Sequence, residues 1–303
     1  MGIIAVGGLA IDSIKSPAGE ANEILGGSLS HFSNASSFLT KTMLVSIVGN
    51  DFKNEFWDFL FDRSIVLGVS IDFKEKTFRW EGYYTEDFGD VVTTKTELNS
   101  FEKYEPVIPP LYKKSRKDIL FLANIDPVIQ KKVAAELHYL PLKVLDTMNY
   151  WIENKRKELL EVFSNIDGII INEMELNLLT GEKNLFSGID KLSPYNFKFI
   201  VLKRGVNGVM VFYENEIISL PAFPVRKVVD PTGAGDSFAG AFLSFIDNSG
   251  VKRLSFEKLK MAAAYATVVA SFVVEDFGVM GLGRITYKDI KDRFRLYRKM
   301  VSF

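Results

Sequence analysis

Apolar positions along the chain follow two periods in alternation. Unbroken aliphatic and β-branched runs at 3–6, 43–48, 119–122, 144–145, 168–171, 199–202 and 209–212 read as buried strands. Between them, segments 29–39, 52–61, 128–137, 155–163 and 173–179 repeat apolar residues at helical spacing, and helices return at 235–246, 256–274 and 288–299. Strand followed by helix, many times over, predicts a three-layer α/β/α fold: a doubly wound, mostly parallel sheet with helices on both faces. In the first late helix Phe238, Phe242 and Phe245 share one face and read as core.

One stretch departs from this rhythm. Over 69–95 the period is two, with Phe78, Trp80 and Gly82 set against Arg79, Glu81 and Tyr83, followed by the polar run VVTTKT from Val91. That pattern predicts a small antiparallel sheet inserted into the parallel architecture. The whole chain, 1–303, then reads as a single α/β domain with extra strands inserted from about 10–25 and 69–97. The longest apolar run, 261–274, is bounded by Lys260 and Glu275 and falls short of the ~20 residues of a membrane span. It predicts a buried helix, and no membrane partner is expected.

Composition narrows the chemistry. Lys and Arg number 37 against 38 Asp and Glu, a net charge of −1, which supplies no field to attract nucleic acid or an anionic membrane. Any anion must therefore be held locally. The absence of cysteine excludes disulfides, zinc ribbons, iron–sulfur ligation and thiol nucleophiles. Two histidines, His31 and His138, give a histidine metal site or a Ser-His-Asp triad little to work with. The opening residues MGIIAVGGLAID carry no basic segment before a short, glycine-broken apolar run, so they read as a first strand and the expected location is the cytoplasm.

The most informative segment is VVDPTGAGDSFAGAF, 228–242. A strand-like end, a proline, then Gly233-Ala234-Gly235 and Asp236 opening an apolar-striped helix describe a glycine-rich turn at a helix N-terminus. Such a terminus presents unpaired N–H groups and a partial positive charge, which suits a phosphate. Asp236 also makes a good helix cap, but a cap needs no Gly-Ala-Gly ahead of it. Two other phosphate motifs fail here: a P-loop needs Lys-Ser or Lys-Thr after its last glycine, and a dinucleotide fingerprint needs a glycine where Phe238 stands.

This segment resembles the C-terminal signature of the ribokinase family, also called the PfkB carbohydrate kinases, which phosphorylate sugars and nucleosides from ATP. Other features agree in order along nearly the whole chain. Gly7-Gly8 before Asp12 resembles the first strand with its substrate carboxylate, and Gly26-Gly27 opening a helix is similar to the first signature. Val48-Gly49-Asn50-Asp51 resembles the VGxD turn, Asp146 with Asn149 and Trp151 the central strand-end motif, and Asn172 to Glu175 the N-x-x-E element. Lys203-Arg204-Gly205 with Gly208 resembles the nucleotide loop, although the family commonly has Thr at the first of these positions. The inserted strands correspond to the family's lid.

The resemblance implies roles. Gly233, Ala234, Gly235 and Asp236 would form the anion hole, with Asp236 as the base for the acceptor hydroxyl. ATP and Mg²⁺ are the implied cofactors, with Asn172, Glu175, Lys203, Gly205 and Gly208 on the nucleotide side and Glu175 holding Mg²⁺ through water. By spacing alone, Asn172 and Glu175 equally describe an exposed helix start, and Lys203 with Arg204 a solvated pair. Asp230 and the loop after the 256–274 helix would hold a monovalent cation such as K⁺. Asp12, Gly26, Gly27, His31 and Asn124 would bind the acceptor. His31 stands where the family has Asn, and a titrating imidazole there predicts an acceptor KM that varies between about pH 5.5 and 7.5. A sugar is the first choice of acceptor and a nucleoside the second; an inactive binding protein and an oxidoreductase are the rival classes. Pairing of lid edges between two copies would make a homodimer.

Overall fold

All seven predicted runs are strands lying side by side in one sheet of the computed structural model, which describes residues 2–86, 88–89, 91–114, 118–250 and 253–302. In chain order the strands are β1 (Ile3–Val6), β2 (Ala10–Ser16), β3 (Gly19–Gly26), β4 (Thr42–Gly49), β5 (Ser64–Asp72), β6 (Arg79–Tyr83), β7 (Val92–Glu97), β8 (Ile119–Leu122), β9 (Leu142–Asp146), β10 (Gly168–Asn172), β11 (Phe199–Lys203), β12 (Val209–Tyr213) and β13 (Glu216–Leu220). The main sheet runs β13-β12-β11-β10-β9-β8-β1-β4-β5, parallel from β11 to β5 and closed at one end by the antiparallel β12 and β13.

Alternate residues of the parallel strands feed two cores, which is why these strands read as unbroken apolar runs. Ile3, Ala5, Ile119 and Phe121 face the layer built on the Ala234–Asn248 and Phe256–Val273 helices. Ile4, Val6, Leu120 and Leu122 face the opposite layer. Phe238 and Phe242 are buried and Phe245 packs against Tyr265, as their shared face implied. The apolar run ends in a buried helix, and no helix of the described residues is long and apolar enough to cross a membrane.

The lid is a four-stranded sheet in the order β3-β2-β6-β7. It consists of two antiparallel hairpins, β2–β3 and β6–β7, joined by a parallel pairing of β2 with β6. The period-two stretch divides differently from the sequence reading. Residues 69–72 finish β5, the edge strand of the main sheet, and positions 87 and 90 lie outside the described residues. Periodicity cannot tell an edge strand from a lid strand, because both expose alternate residues. Asp51 of the VGxD turn ties the layers together: it accepts from the Thr77 amide at 2.7 Å and from the Arg79 guanidinium at 2.8 Å.

Candidate active site

The order of the main sheet reverses between β1 and β8, because the chain leaves β1 for β4 and β5 on one side and returns to β8 on the other. Open α/β sheets bind ligands at the carboxyl ends of strands beside such a reversal. Residues that bear chemistry gather there. Asp12 follows β1, Asn124 follows β8, and Asp146, Asn172 and Lys203 are the last residues of β9, β10 and β11.

The Ala234–Asn248 helix opens under this crevice, with Gly233 as its N-cap at φ 73° and ψ 1°. A side chain at Gly233 would be strained by that backbone and would also strike the His31 ring at 2.2 Å. The Ala234 amide bonds to the Pro231 carbonyl, while those of Gly235 and Asp236 belong to the first turn, where the helix supplies no acceptor. Above Gly235 stands the ammonium of Lys203, 3.1 Å from where a β-carbon would be. The first-turn amides and that cation thus lie side by side, two sources of positive charge at one helix start.

Lys203 is partly buried among carboxylates. Its Nζ lies 3.3 Å and 3.5 Å from the two oxygens of Asp146. Burial works against its charge, yet Asp146, Glu175 and Asp236 outweigh that and hold it protonated. Burial pushes Asp236 up to about 7, the negative charge of Asp146 adds to the effect, and Lys203 opposes it. An acid so tuned exchanges protons near neutrality.

Asn172 and Glu175 form a reciprocal cap of the Glu173–Thr180 helix: the Glu175 amide donates to Asn172 Oδ1 and the Asn172 amide donates to Glu175 Oε2, both at 2.8 Å. The helix start is therefore a cap, as the spacing allowed, but Glu175 is buried where an exposed start would leave it in water. Burial raises its proton affinity, with Lys203 opposing. In the nucleotide loop, Arg204 pairs with Glu173 at 2.5 Å and its amide donates to the Gly208 carbonyl, while the Gly208 amide donates to Gly205.

On the acceptor side, Asp12 is buried and accepts from the Gly27 amide at 3.3 Å through Oδ2, while its Oδ1 has no partner. A β-carbon at Gly26 would fall 1.8 Å from that carboxylate, so only glycine lets the strand pass. Burial pushes Asp12 up to about 7, with Asp230 and Asp236 adding repulsion against the pull of the Gly27 amide. Phe101 closes one side: its ring edge lies 3.9 Å from a β-carbon built on Gly8, and it packs on Phe78 and Tyr104. From the lid, Tyr84 reaches Thr232 of the anion loop, hydroxyl to hydroxyl at 3.1 Å. Trp80 instead bonds within the lid to Thr93.

The structure places three more of the expected site residues. His31 is buried, its Nε2 lacks a partner, and burial pushes its pKa down to about 4, which runs against the expected KM change between pH 5.5 and 7.5. Both ends of the Asn124 amide are engaged, with the Trp151 indole and with Met148 sulfur, which fixes the segment after β9. Asp230 spends its carboxylate on the amides of Thr232 and Gly278, clasping the anion loop to the 274–278 turn. Asp146 is the site residue whose role the sequence left unassigned; its signal was its place at the end of a strand in the crevice.

This build, a doubly wound sheet with a β lid over an anion loop, is that of the ribokinase-like small-molecule kinases. It is similar to the crystal structure of the Methanocaldococcus jannaschii nucleoside kinase, with a TM-score of 0.77 at 20% identity over 98% of this chain and 99% of that one. Similarity to a putative ribokinase II from E. coli reaches a TM-score of 0.81 at 20% identity over 97% and 99%; that protein has also been solved in complex with ATP and Mg²⁺. The model of the pfkB family carbohydrate kinases matches residues 131–282, half of the chain, and the protein belongs to that family. In sequence it is 29% identical over 248 residues to a cytidine kinase of Thermococcus kodakarensis, covering 80% of this chain and 87% of the relative. To an inositol 3-kinase of Arabidopsis thaliana it is 22% identical, over 99% and 81%.

Proposed function

We propose that the protein is an ATP- and Mg²⁺-dependent kinase of nucleosides, transferring the γ-phosphoryl group to a ribose hydroxyl, with a free sugar as the second reading. The observation that carries the kinase chemistry is the Lys203 ammonium set against Gly235 at the helix start, with Asp236 one residue further along the same helix. Asp236 takes the proton of the acceptor hydroxyl as its oxygen forms the new bond to phosphorus and ADP departs. The Gly235 and Asp236 amides and the Lys203 ammonium hold the charge of the group in flight, with Gly233 and Ala234 shaping the turn. The unpartnered Oδ1 of Asp12 accepts from a second hydroxyl and orients the first. Gly26, Gly27 and the neutral His31 wall this pocket.

Mg²⁺, when bound, neutralises the nucleotide phosphates. Glu175, buried at the start of the Glu173–Thr180 helix, is the carboxylate that would serve it. That suits a largely hydrated ion reached by Glu175 through water, with Asn172, Gly205 and Gly208 shaping the nucleotide side. Because the Asp230 carboxylate is engaged with the Thr232 and Gly278 amides, a monovalent cation would be held by carbonyl oxygens of the two loops it clasps, and equal rates in K⁺ and in a bulky organic cation would remove it from the scheme.

A nucleoside is preferred to a sugar because the wall over Gly8 is aromatic, with the half-buried Phe101 ring, backed by the buried Tyr104, as a stacking surface for a base. The similarity to a cytidine kinase and a nucleoside kinase supports the same choice. A chain without cysteine and with this substrate class fits the cytoplasm, where ATP is supplied. The test is an ADP-release screen over nucleosides, pentoses, hexoses, ketoses and inositols. Nucleosides are expected to exceed every free sugar by at least about tenfold in kcat/KM, roughly the worth of one well-made contact. Turnover of sugars alone would overturn the choice of acceptor, and no ADP release from any of them would overturn the kinase.

A further inference from the structure

Two hydrogen bonds cross from the lid to the loop that opens the Ala234–Asn248 helix. Ser16, the last residue of β2, is buried and donates its hydroxyl to the Val229 carbonyl at 2.6 Å, 213 positions away in sequence. Tyr84, directly after β6, meets Thr232 hydroxyl to hydroxyl at 3.1 Å. These contacts bracket Asp230, whose carboxylate accepts from the Thr232 amide at 2.9 Å and from the Gly278 amide at 3.0 Å. The lid also covers the far half of that clasp: a β-carbon at Gly278 would lie 2.6 Å from Ile24 of β3, and one at Gly19 would lie 3.7 Å from the Phe277 ring.

We propose that Ser16 and Tyr84 are positioning residues for phosphoryl transfer, through which the lid fixes the anion loop and with it Asp236. The proposal rests on the reading of Asp236 as the base. Residues 229–232 belong to no helix or strand, so no ladder of backbone bonds fixes them. Their geometry depends on side-chain contacts, and the lid supplies one at each end. The Ser16 hydroxyl is spent within the protein, donating to Val229 and accepting from the Ala18 amide at 3.2 Å, so it serves the loop and not a substrate.

The same strand carries the acceptor carboxylate. Along β2, Asp12, Ile14 and Ser16 are buried while Lys15 is exposed, and register with β6 is unbroken from Ile11 to Lys15. Asp12 and Ser16 therefore share one face, about 13 Å apart at the rise of a strand. Tyr84 is tied to this strand as well, its amide donating to the Lys15 carbonyl at 2.9 Å. An acceptor seated on Asp12 and the loop that holds the phosphoryl group are thus referred to one pair of strands. A misplacement of about 1 Å between reacting groups can cost on the order of 10²-fold in rate, so two hydrogen bonds away from the chemistry are enough to change it.

Steady-state kinetics with the best acceptor of the ADP-release screen, and hydrogen–deuterium exchange of the free protein, test this. Ser16→Ala and Tyr84→Phe are each expected to lower kcat by roughly fivefold to fiftyfold with both KM values within about twofold of the parent, because neither residue holds a substrate. Ser16→Thr keeps the hydroxyl and should restore kcat. The double variant should lose less than the product of the two single losses, since both contacts hold one loop. Segment 228–236 should exchange faster in the Ala and Phe variants, while β9 keeps parental exchange. Parental kcat and parental exchange in both single variants would overturn the proposal, as would losses carried by KM alone. A parent that releases no ADP from any acceptor would overturn the kinase reading instead, and the exchange data would still decide whether the lid fixes the loop.

Discussion

Lys203 at the end of β11 and Asp146 at the end of β9 meet across the intervening β10, Nζ to Oδ2 at 3.3 Å, with the ammonium also facing Gly235 of the anion loop. The lysine thus answers both the carboxylates buried in the crevice and the anion the loop is built for. Asp146 holds it by a long contact, at 3.3 Å and 3.5 Å to its two oxygens.

This relationship makes opposite pH shifts the expected result of removing its two ends. Lys203→Met removes the charge that opposes protonation of Asp236, so the acidic limb of kcat/KM should move to higher pH. Asp146→Asn removes a negative charge that favours protonation, so the limb should move to lower pH, each by about one unit or more. Shifts in the same direction, read from pH profiles of both variants, would break the link.

Asp236→Asn should leave the fold and ATP affinity near parental while kcat falls by roughly two to four orders of magnitude, the usual worth of a general base. Asn keeps the size and can stand in the first helical turn, but it cannot take a proton. Stopped-flow turnover and calorimetric ATP binding separate the two quantities.

Glu175→Gln preserves an N3 side chain able to cap Asn172, so thermal stability should change little. The Mg²⁺ concentration for half-maximal rate should rise several-fold because the charge is lost. Superimposable Mg²⁺ titrations of parent and variant would reduce Glu175 to a capping residue.

Asp12 carries a cost that the Asn variant should remove. Its folded-state pKa is raised from 3.8 to about 7, so the folded protein holds this proton more tightly than the unfolded chain. That penalty is absent below pH 3.8, grows as pH rises, and is complete above about 7. Asp12→Asn should therefore stabilise the free enzyme at pH 8 by on the order of 1–4 kcal/mol, and hardly at all at pH 4. It should also weaken acceptor binding. Denaturant titrations at the two pH values check the sign.

His31→Asn should change the ranking of acceptors by about tenfold or more with little effect on ATP affinity. Because burial holds the imidazole neutral, acceptor KM should be flat from pH 5.5 to 7.5 in both parent and variant as far as this residue is concerned. A KM step near pH 6.5 present in the parent and lost in the variant would show that the ring titrates.

The sequence alone determined the layered parallel sheet, the β6–β7 hairpin and the glycine turn that opens the Ala234–Asn248 helix, because each is written in short-range terms. Strands 3–6 and 119–122 are apolar at every position since both faces are covered, and Gly233 to Asp236 announce a helix start by residue type. Only the tertiary structure decided that residues 69–72 belong to the main sheet, that Asn124 is spent on Trp151, and that Lys203 is shared by Asp146, Glu175 and Asp236. Pairings of this kind join positions tens of residues apart, where spacing holds no information. The proton affinities of Asp12, His31 and Asp236 depend on how completely water is excluded around them, and that is set by the packing of the whole crevice.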